Sequence, residues 1–386
     1  MKPAVDIAPI DPRQDQQGRL RVMYLVDSLR VGGKERQICE LLKGLQADGS
    51  VESIVVTMGT EQFYVQEVEK LGVSVVYLLR RMRWDPMVLL KLFSLLRQFK
   101  PHIIHTNSEM AMSYAFPLAR LMGITLINAT IRNAFSGDDL RWKWHKLMLR
   151  LADVCISNSR AGFESRGLSA DSPGNVVIHN GIDLRRFETP NPTGALPFAA
   201  PAGTVVGMIA EFSDHKDFPT FIRAAQTILA KRRDVTFVAV GGGKNLEQCR
   251  AMVAPEEDRI QFLGERKDIE ALIARMDIGV LCTFSEGIPN AIMEFMAAGR
   301  PVIVTDGGGS RELVVDRVVG FLAPPRNPAA VAERIELLLD NPDTARQMGM
   351  TGRKRIEQHF SLKALADSHL RLYHHCFDAE PARSSA

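Results

Sequence analysis

Residues 284–305 read FSEGIPNAIMEFMAAGRPVIVT: a loop holding Glu286, a helix-length stretch holding Glu294, and an apolar run over 301–304. Gly287 lets the backbone come close to a ligand, and Pro289 is pre-set for the first turn of a helix. The start of that helix points N–H donors and a partial positive charge outward, which suits an anion and above all a phosphate. Glu286 lies before the helix and Glu294 more than a turn inside it. The two carboxylates can therefore grip separate hydroxyl-bearing parts of one extended ligand, and a nucleotide sugar, with its ribose, diphosphate and sugar, has that layout. A helix followed at once by a buried strand is also half of an α/β unit, and this decides how the rest of the chain is read.

Outward from this stretch, apolar strand-like runs alternate with helix-length periodic segments, the pattern of parallel sheets covered by helices. The pattern occurs twice. The first series of strands is expected at 20–26, 53–57, 73–77, 103–106, 125–129, 154–157 and 176–179, with helices such as 35–45 and 86–99 between them. A stretch rich in proline and glycine follows, and a second series is expected at 205–209, 236–240, 259–262, 278–281, 301–304 and 320–322. The expected division is a loose leader (1–19), an N-terminal domain (20–185), a linker (186–203), a C-terminal domain (204–359) and a tail (377–386). A chain of 386 residues is long for one core, in keeping with two domains. Open parallel sheets bind ligands beyond the carboxyl ends of their strands, so a cleft between the two domains is expected.

Composition sets outer limits. The hydrophobic share of 46% is that of a soluble protein, and no segment approaches the roughly 20 apolar residues that span a bilayer. The first 20 residues lack the apolar core of a signal peptide. Five scattered cysteines without a Cys-x-x-Cys pair argue against a zinc site or a disulfide framework and for a cytoplasmic setting. A net charge of +3 is too small to indicate nucleic acid.

The 284–305 stretch resembles the Glu-x7-Glu signature of glycosyltransferase family 4, retaining enzymes of the GT-B fold, and the match extends through Ala297, Ala298, Gly299, Arg300, Pro301 and Val302. The resemblance implies α/β architecture with two doubly wound Rossmann-like domains facing across a cleft, the last helix (about 360–376) packing back on the first domain. It implies that Glu294 binds the nucleotide ribose and that Glu286 lies beside the donor sugar, with Gly287, Ile288, Pro289 and Asn290 between them. Lys216 matches the lysine that the family places on the donor phosphates. The arginine usual about five residues earlier is replaced by Glu211, so Arg266 or Lys244 is a candidate substitute cation.

The loop after the first strand carries Gly32 and Gly33, whose flexibility would let main-chain N–H groups reach a phosphate, and it resembles the family's Gly-Gly loop. It is a poor dinucleotide fingerprint, because the third glycine would fall at Glu35, and the Gly241–Gly243 run before Lys244 lacks the parts of an NTPase loop. In the family a turn like that of Gly243 lines the nucleotide, and a loop like that of Glu265 and Arg266 meets the base. His105, at a strand end, is a candidate to bond the sugar or acceptor, or else a satisfied structural group; where many relatives have His-x-His this chain has His105 and Asn107.

No Asp-x-Asp triplet occurs, so transfer without a metal or other cofactor is expected, from a UDP- or GDP-sugar. Two basic clusters, Arg80, Arg81, Arg83 with Trp84 and Arg141, Trp142, Lys143, Trp144, Lys146, contain all three tryptophans. Tryptophan beside Lys or Arg suits an anionic membrane surface, and a solvated helix face with tryptophans partly in the core is the equal alternative. The expected function is sugar transfer from a nucleotide sugar to an acceptor hydroxyl in polysaccharide or glycolipid assembly. A catalytically degenerate nucleotide-sugar-binding scaffold or a sugar-nucleotide epimerase is the alternative.

Overall fold

The unbroken apolar runs become two wholly parallel sheets, as expected of strands covered on both faces. The computed structural model describes residues 19–30, 32–61, 63–82, 84–188 and 203–378. All but Arg19 of the expected leader, residues 189–202 of the linker, the tail from 379 onward and Arg83 lie outside the described residues.

The chain forms two compact units. The first runs through Arg132, resumes over Ser136–Gly181 and takes up the chain again from Leu362. Its sheet has the order β3-β2-β1-β4-β5-β6-β7, with β1 Leu20–Val26, β2 Val51–Thr57, β3 Ser74–Tyr77, β4 Ile103–Thr106, β5 Thr125–Ile131, β6 Val154–Ser157 and β7 Asn175–Val177. The crossover helices are α1 Gly33–Asp48, α2 Val65–Lys70, α3 Pro86–Phe99, α4 Glu109–Met122, α5 Leu140–Arg150 and α6 Arg160–Glu164. Side-chain caps start four of them: Asp85 for α3, Ser108 for α4, Asp139 for α5 and Ser159 for α6. In register, Val22 faces Ser53 on one side and Ile103 on the other, and the order reverses between β1 and β4.

The last helix, α14 (Leu362–Asp378), completes the core of this unit. It lies so close to α1 that a Cβ on Gly44 would come within 2.7 Å of the Ala366 Cβ. Its Tyr373 hydroxyl is 2.7 Å from His105 Nδ1 and 3.0 Å from the Tyr24 hydroxyl, and His369 stacks on His105 with ring centroids 5.7 Å apart. A polar ladder inside an apolar core fixes which faces meet, since each group left unpaired there would cost free energy.

The second unit is Ile182–Ser361 together with Asn133–Phe135. Its sheet has the order β10-β9-β8-β11-β12-β13, from β8 Thr204–Ile209, β9 Val235–Val240, β10 Ile260–Gly264, β11 Ile278–Leu281, β12 Val302–Thr305 and β13 Gly320–Ala323. Its helices are α7 Phe218–Leu229, α8 Leu246–Arg250, α9 Ile269–Ile273, α10 Asn290–Ala297, α11 Ser310–Leu313, α12 Pro328–Asp340 and α13 Pro342–His359. Met208 faces Ala239 on one side and Val280 on the other, so the order reverses between β8 and β11, the place where open parallel sheets take a ligand.

The units meet along the chain at Gly181 and Ile182, a few residues before the expected linker. The Ile182 amide donates to the Phe360 carbonyl at 2.9 Å, and a 3₁₀ turn over Leu184–Phe187 seats Phe187 in the core of the second unit. The strand expected at 176–179 ends at Val177.

Candidate active site

Threonines at the ends of β11 and β12 build the floor of the site. Thr283 N–H donates to Thr305 Oγ1 at 2.7 Å, and Thr283 Oγ1 donates to the His215 carbonyl at 2.9 Å. The Phe284 and Asp217 amides donate to His215 and Cys282 carbonyls, so the loop after β8 is stitched to the loop after β11. The stitching places Lys216 against Glu286, and their side chains form an ion pair, both largely buried. Burial pulls the Lys216 ammonium down to about 8, and the Glu211 carboxylate resists that fall. The acid that replaces the expected arginine thus supports the charge of the lysine.

Glu286 is braced from behind. Its carbonyl accepts from Gly309 N–H at 2.9 Å, and a Cβ on Gly308, whose φ is +60°, would strike the same carbonyl. Pro289 is the residue before α10 and not part of its first turn, with φ −75° and ψ 114°, and it provides no side-chain cap. Gly287, Ile288 and Pro289 are buried, Asn290 opens the helix, and Glu294 sits in its second turn at 4% exposure. The guanidinium of Arg186 reaches Glu294 Oε1 at 3.2 Å and Glu270 Oε1 at 2.7 Å.

The neighbouring glycine turn is shaped by close approach: Gly241 and Gly243 have φ of +145° and +140°, and a Cβ on Gly241 would lie 1.9 Å from the Ala210 carbonyl oxygen. Glu265 lies beside Gly242. Arg266 is held by Asp268 at 2.9 and 2.7 Å, and Lys244 is likewise paired with Asp214. Each of these cations is already matched by a carboxylate next to it.

Three expectations in the first unit change. His105 does not face open space: it is 3% exposed and bonded to Tyr373, and burial, with His369 and Arg132 nearby, pushes its pKa well below the usual range. The ring is neutral and serves the packing of α14. Gly32 precedes α1 with an extended backbone (φ −179°), and the buried Glu35 carboxylate is folded so tightly beneath it that a Cβ on Gly32 would lie 2.3 Å from Glu35 Oε2. Burial raises the pKa of that carboxyl group, with Lys34 opposing the rise. Trp142 is turned inward, stacked on His145 with centroids 5.2 Å apart and beneath the Arg166 guanidinium at 5.1 Å.

Reading the sequence missed Arg186, Glu270, Thr283, Thr305 and Gly307–Gly309. The glycine run after β12 was a usable signal, as a flexible loop at the carboxyl end of a strand. Arg186 offered none, its partner Glu294 being 108 residues away.

In chain order, residues 31–186 match the family model described as Glycosyltransferase Family 4, and residues 203–341 the model described as Glycosyl transferases group 1. The chain is 28% identical to Bacillus subtilis EpsD over 221 residues, 54% of this chain. It is 27% identical over 257 residues, 62% of its length, to the Escherichia coli UDP-Gal:alpha-D-GlcNAc-diphosphoundecaprenol alpha-1,3-galactosyltransferase. These alignments span 58% and 66% of the relatives' own lengths. Among solved structures, HepE of Anabaena in complex with UDP and glucose superposes with a TM-score of 0.79 at 19% identity, covering 92% of this chain and 99% of that one. Sucrose-phosphate synthase of Thermosynechococcus elongatus gives 0.76 at 20% identity over 94% and 100%. With both halves matched in order and the fold shared along nearly the whole length, the chain belongs to glycosyltransferase family 4 and has the GT-B fold.

Proposed function

We propose that this protein moves a sugar from a nucleoside-diphosphate sugar to an acceptor hydroxyl with retention at the anomeric carbon and without a metal ion. One observation carries the reading: the Lys216–Glu286 pair lies at the start of α10, one turn from the buried Glu294. In this reading Glu294 takes the ribose, the start of α10 and Lys216 take the diphosphate, and Glu286 orients the sugar. As the bond from the anomeric carbon to the phosphate oxygen breaks, the acceptor oxygen bonds the same face of that carbon, and the departing phosphate oxygen takes the acceptor proton. Lys216 stabilises the charge growing on the leaving group. UDP is favoured as the nucleotide and a diphosphoundecaprenol-linked sugar as the acceptor, because the names of relatives carry both: the Escherichia coli enzyme names a UDP-sugar and such a lipid, and a Campylobacter jejuni relative names the lipid.

The test is UDP release from UDP-Gal, UDP-Glc and UDP-GlcNAc, with GDP-Man alongside, in the presence and absence of a short-chain polyprenyl diphosphate sugar. Release that depends on the acceptor is the expected result. Binding without release would favour the scaffold reading, and a changed donor sugar the epimerase.

A lipid-linked acceptor implies a membrane surface, and we place it on the first unit. Trp84 and Trp144 are 50% and 40% exposed and touch edge to face at 6.1 Å. Leu140 and Leu147, four before and three after Trp144, continue its exposed stripe along α5, and Met87 and Leu90 do the same on α3. Arg81 just before α3, Lys91 and Arg97 on α3, and Arg141, Lys143 and Arg150 on α5 are exposed basic residues. Among the described residues no helix is long and apolar enough to cross a membrane, so the fit is to the interface. The protein is expected to float with phosphatidylglycerol vesicles and not with phosphatidylcholine vesicles, and the Trp84→Ala/Trp144→Ala variant to stay behind. Equal behaviour of the two vesicle types would refute the surface.

A further inference from the structure

We infer that Arg186 is a positioning residue that holds the Glu294 carboxylate in the orientation that meets the ribose hydroxyls, an inference that rests on the donor reading above. Arg186 belongs to the 3₁₀ turn Leu184–Phe187, whose start is capped by Asp183, which accepts from the Arg185 amide at 3.1 Å. The turn is pinned on both flanks, by the Ile182 amide on the Phe360 carbonyl and by the buried ring of Phe187, so the backbone that presents the guanidinium has little freedom. From there Arg186 spans α9 and α10, donating through Nε to Glu270 at 2.7 Å and through Nη2 to Glu294 at 3.2 Å.

A ribose offers two O–H donors, and the guanidinium, reaching Glu294 Oε1 through Nη2, fixes how the carboxylate oxygens meet them. One guanidinium is shared between the two carboxylates of Glu270 and Glu294. Glu270 then acts at one further remove: by holding Nε it sets the angle at which Nη2 meets Glu294.

The experiment compares UDP with 2′,3′-dideoxy-UDP by titration calorimetry on the full chain. The wild type is expected to prefer UDP by about tenfold or more, the size of losing hydrogen bonds to a charged group. Arg186→Ala is expected to lose about tenfold on UDP and almost nothing on the dideoxy nucleotide, so that the preference collapses. Glu270→Gln should shift the same ratio less, and Arg186→Lys, which keeps the charge without the fork, should restore part of it. An equal loss on both nucleotides would assign Arg186 a structural role and overturn the inference, as would tighter UDP binding, the mark of a side chain that obstructs Glu294. If Arg186→Ala does not fold, the Glu270→Gln ratio decides alone. A wild type that binds UDP without any preference, or binds neither nucleotide, overturns the ribose assignment of Glu294 itself, a result separable from failure of the clamp.

Discussion

Lys216→Ala is expected to lower kcat by about 10²–10³, the usual cost of removing one preorganised charge from a group that becomes more negative in the transition state. Binding of UDP should weaken much less, by about tenfold, because the cation meets the diphosphate in the ground state too. The pH dependence gives a second handle. Burial lowers the Lys216 ammonium to about 8, so its charge is present below that pH and lost as the pH rises through it. A tenfold coupling to the diphosphate lifts that value by about one unit in the complex, since one unit corresponds to tenfold. Wild-type affinity for UDP should therefore be level below about pH 7, fall between about pH 8 and 9, and settle at that of the alanine variant. Lys216→Arg, charged throughout that range, should show no fall. Turnover within threefold of wild type in the alanine variant, or the same fall in the arginine variant, would remove Lys216 from the mechanism.

Glu294→Ala is expected to act on binding first. A carboxylate that accepts from two hydroxyls contributes about 1.5–3 kcal/mol through each charged hydrogen bond, so a loss of about 100-fold in UDP affinity, the low end of that range, is taken as the expectation. In a melting experiment with UDP at about a hundredfold excess over its wild-type Kd, the ligand should stabilise the wild type by about 2.7 kcal/mol. In the variant the same concentration only matches the new Kd, and the gain should shrink to about 0.4 kcal/mol by the same relation. Without ligand the variant must melt as one cooperative unit, since Arg186 keeps Glu270 as a partner when Glu294 is removed. A full-sized shift in the variant would place the ribose elsewhere.

Glu286 and Glu294 lie within one short stretch, whereas Lys216 stands in a loop 70 residues before Glu286. Glu286, the turn through Pro289 and Glu294 are local, set by loop and helix geometry within a dozen residues. The strands were as legible, because a strand buried on both faces is apolar at every position, and the observed ends mostly differ from the expected ones by a residue or two. What stayed hidden was partner choice at long range. His105 looks like a ligand-facing side chain until Tyr373, 268 positions later, is seen to hold its ring, and Thr283 meets His215 across 68 positions. Trp142 and Trp144 part company for a simpler reason. Two residues apart on a helix are turned by about 160° from each other, so only one of them can share the outer face. The single cation at 216 was legible, and its support by Glu211 was not, because charge pairing across a loop leaves no periodic trace.

The polar ladder of Tyr24, His105, His369 and Tyr373 has a consequence for how the protein is made. The ribosome releases the chain from its N-terminus, yet the first unit cannot close its core until α14, the last helix described, has emerged. The second unit, continuous in sequence apart from three residues, is complete before that and is free to fold while α14 is still in the exit tunnel. For some seconds of synthesis the earlier-made unit waits with the α1 face meant for α14 uncovered, and a ribosome that stops short of α14 leaves a finished second unit joined to an open first one.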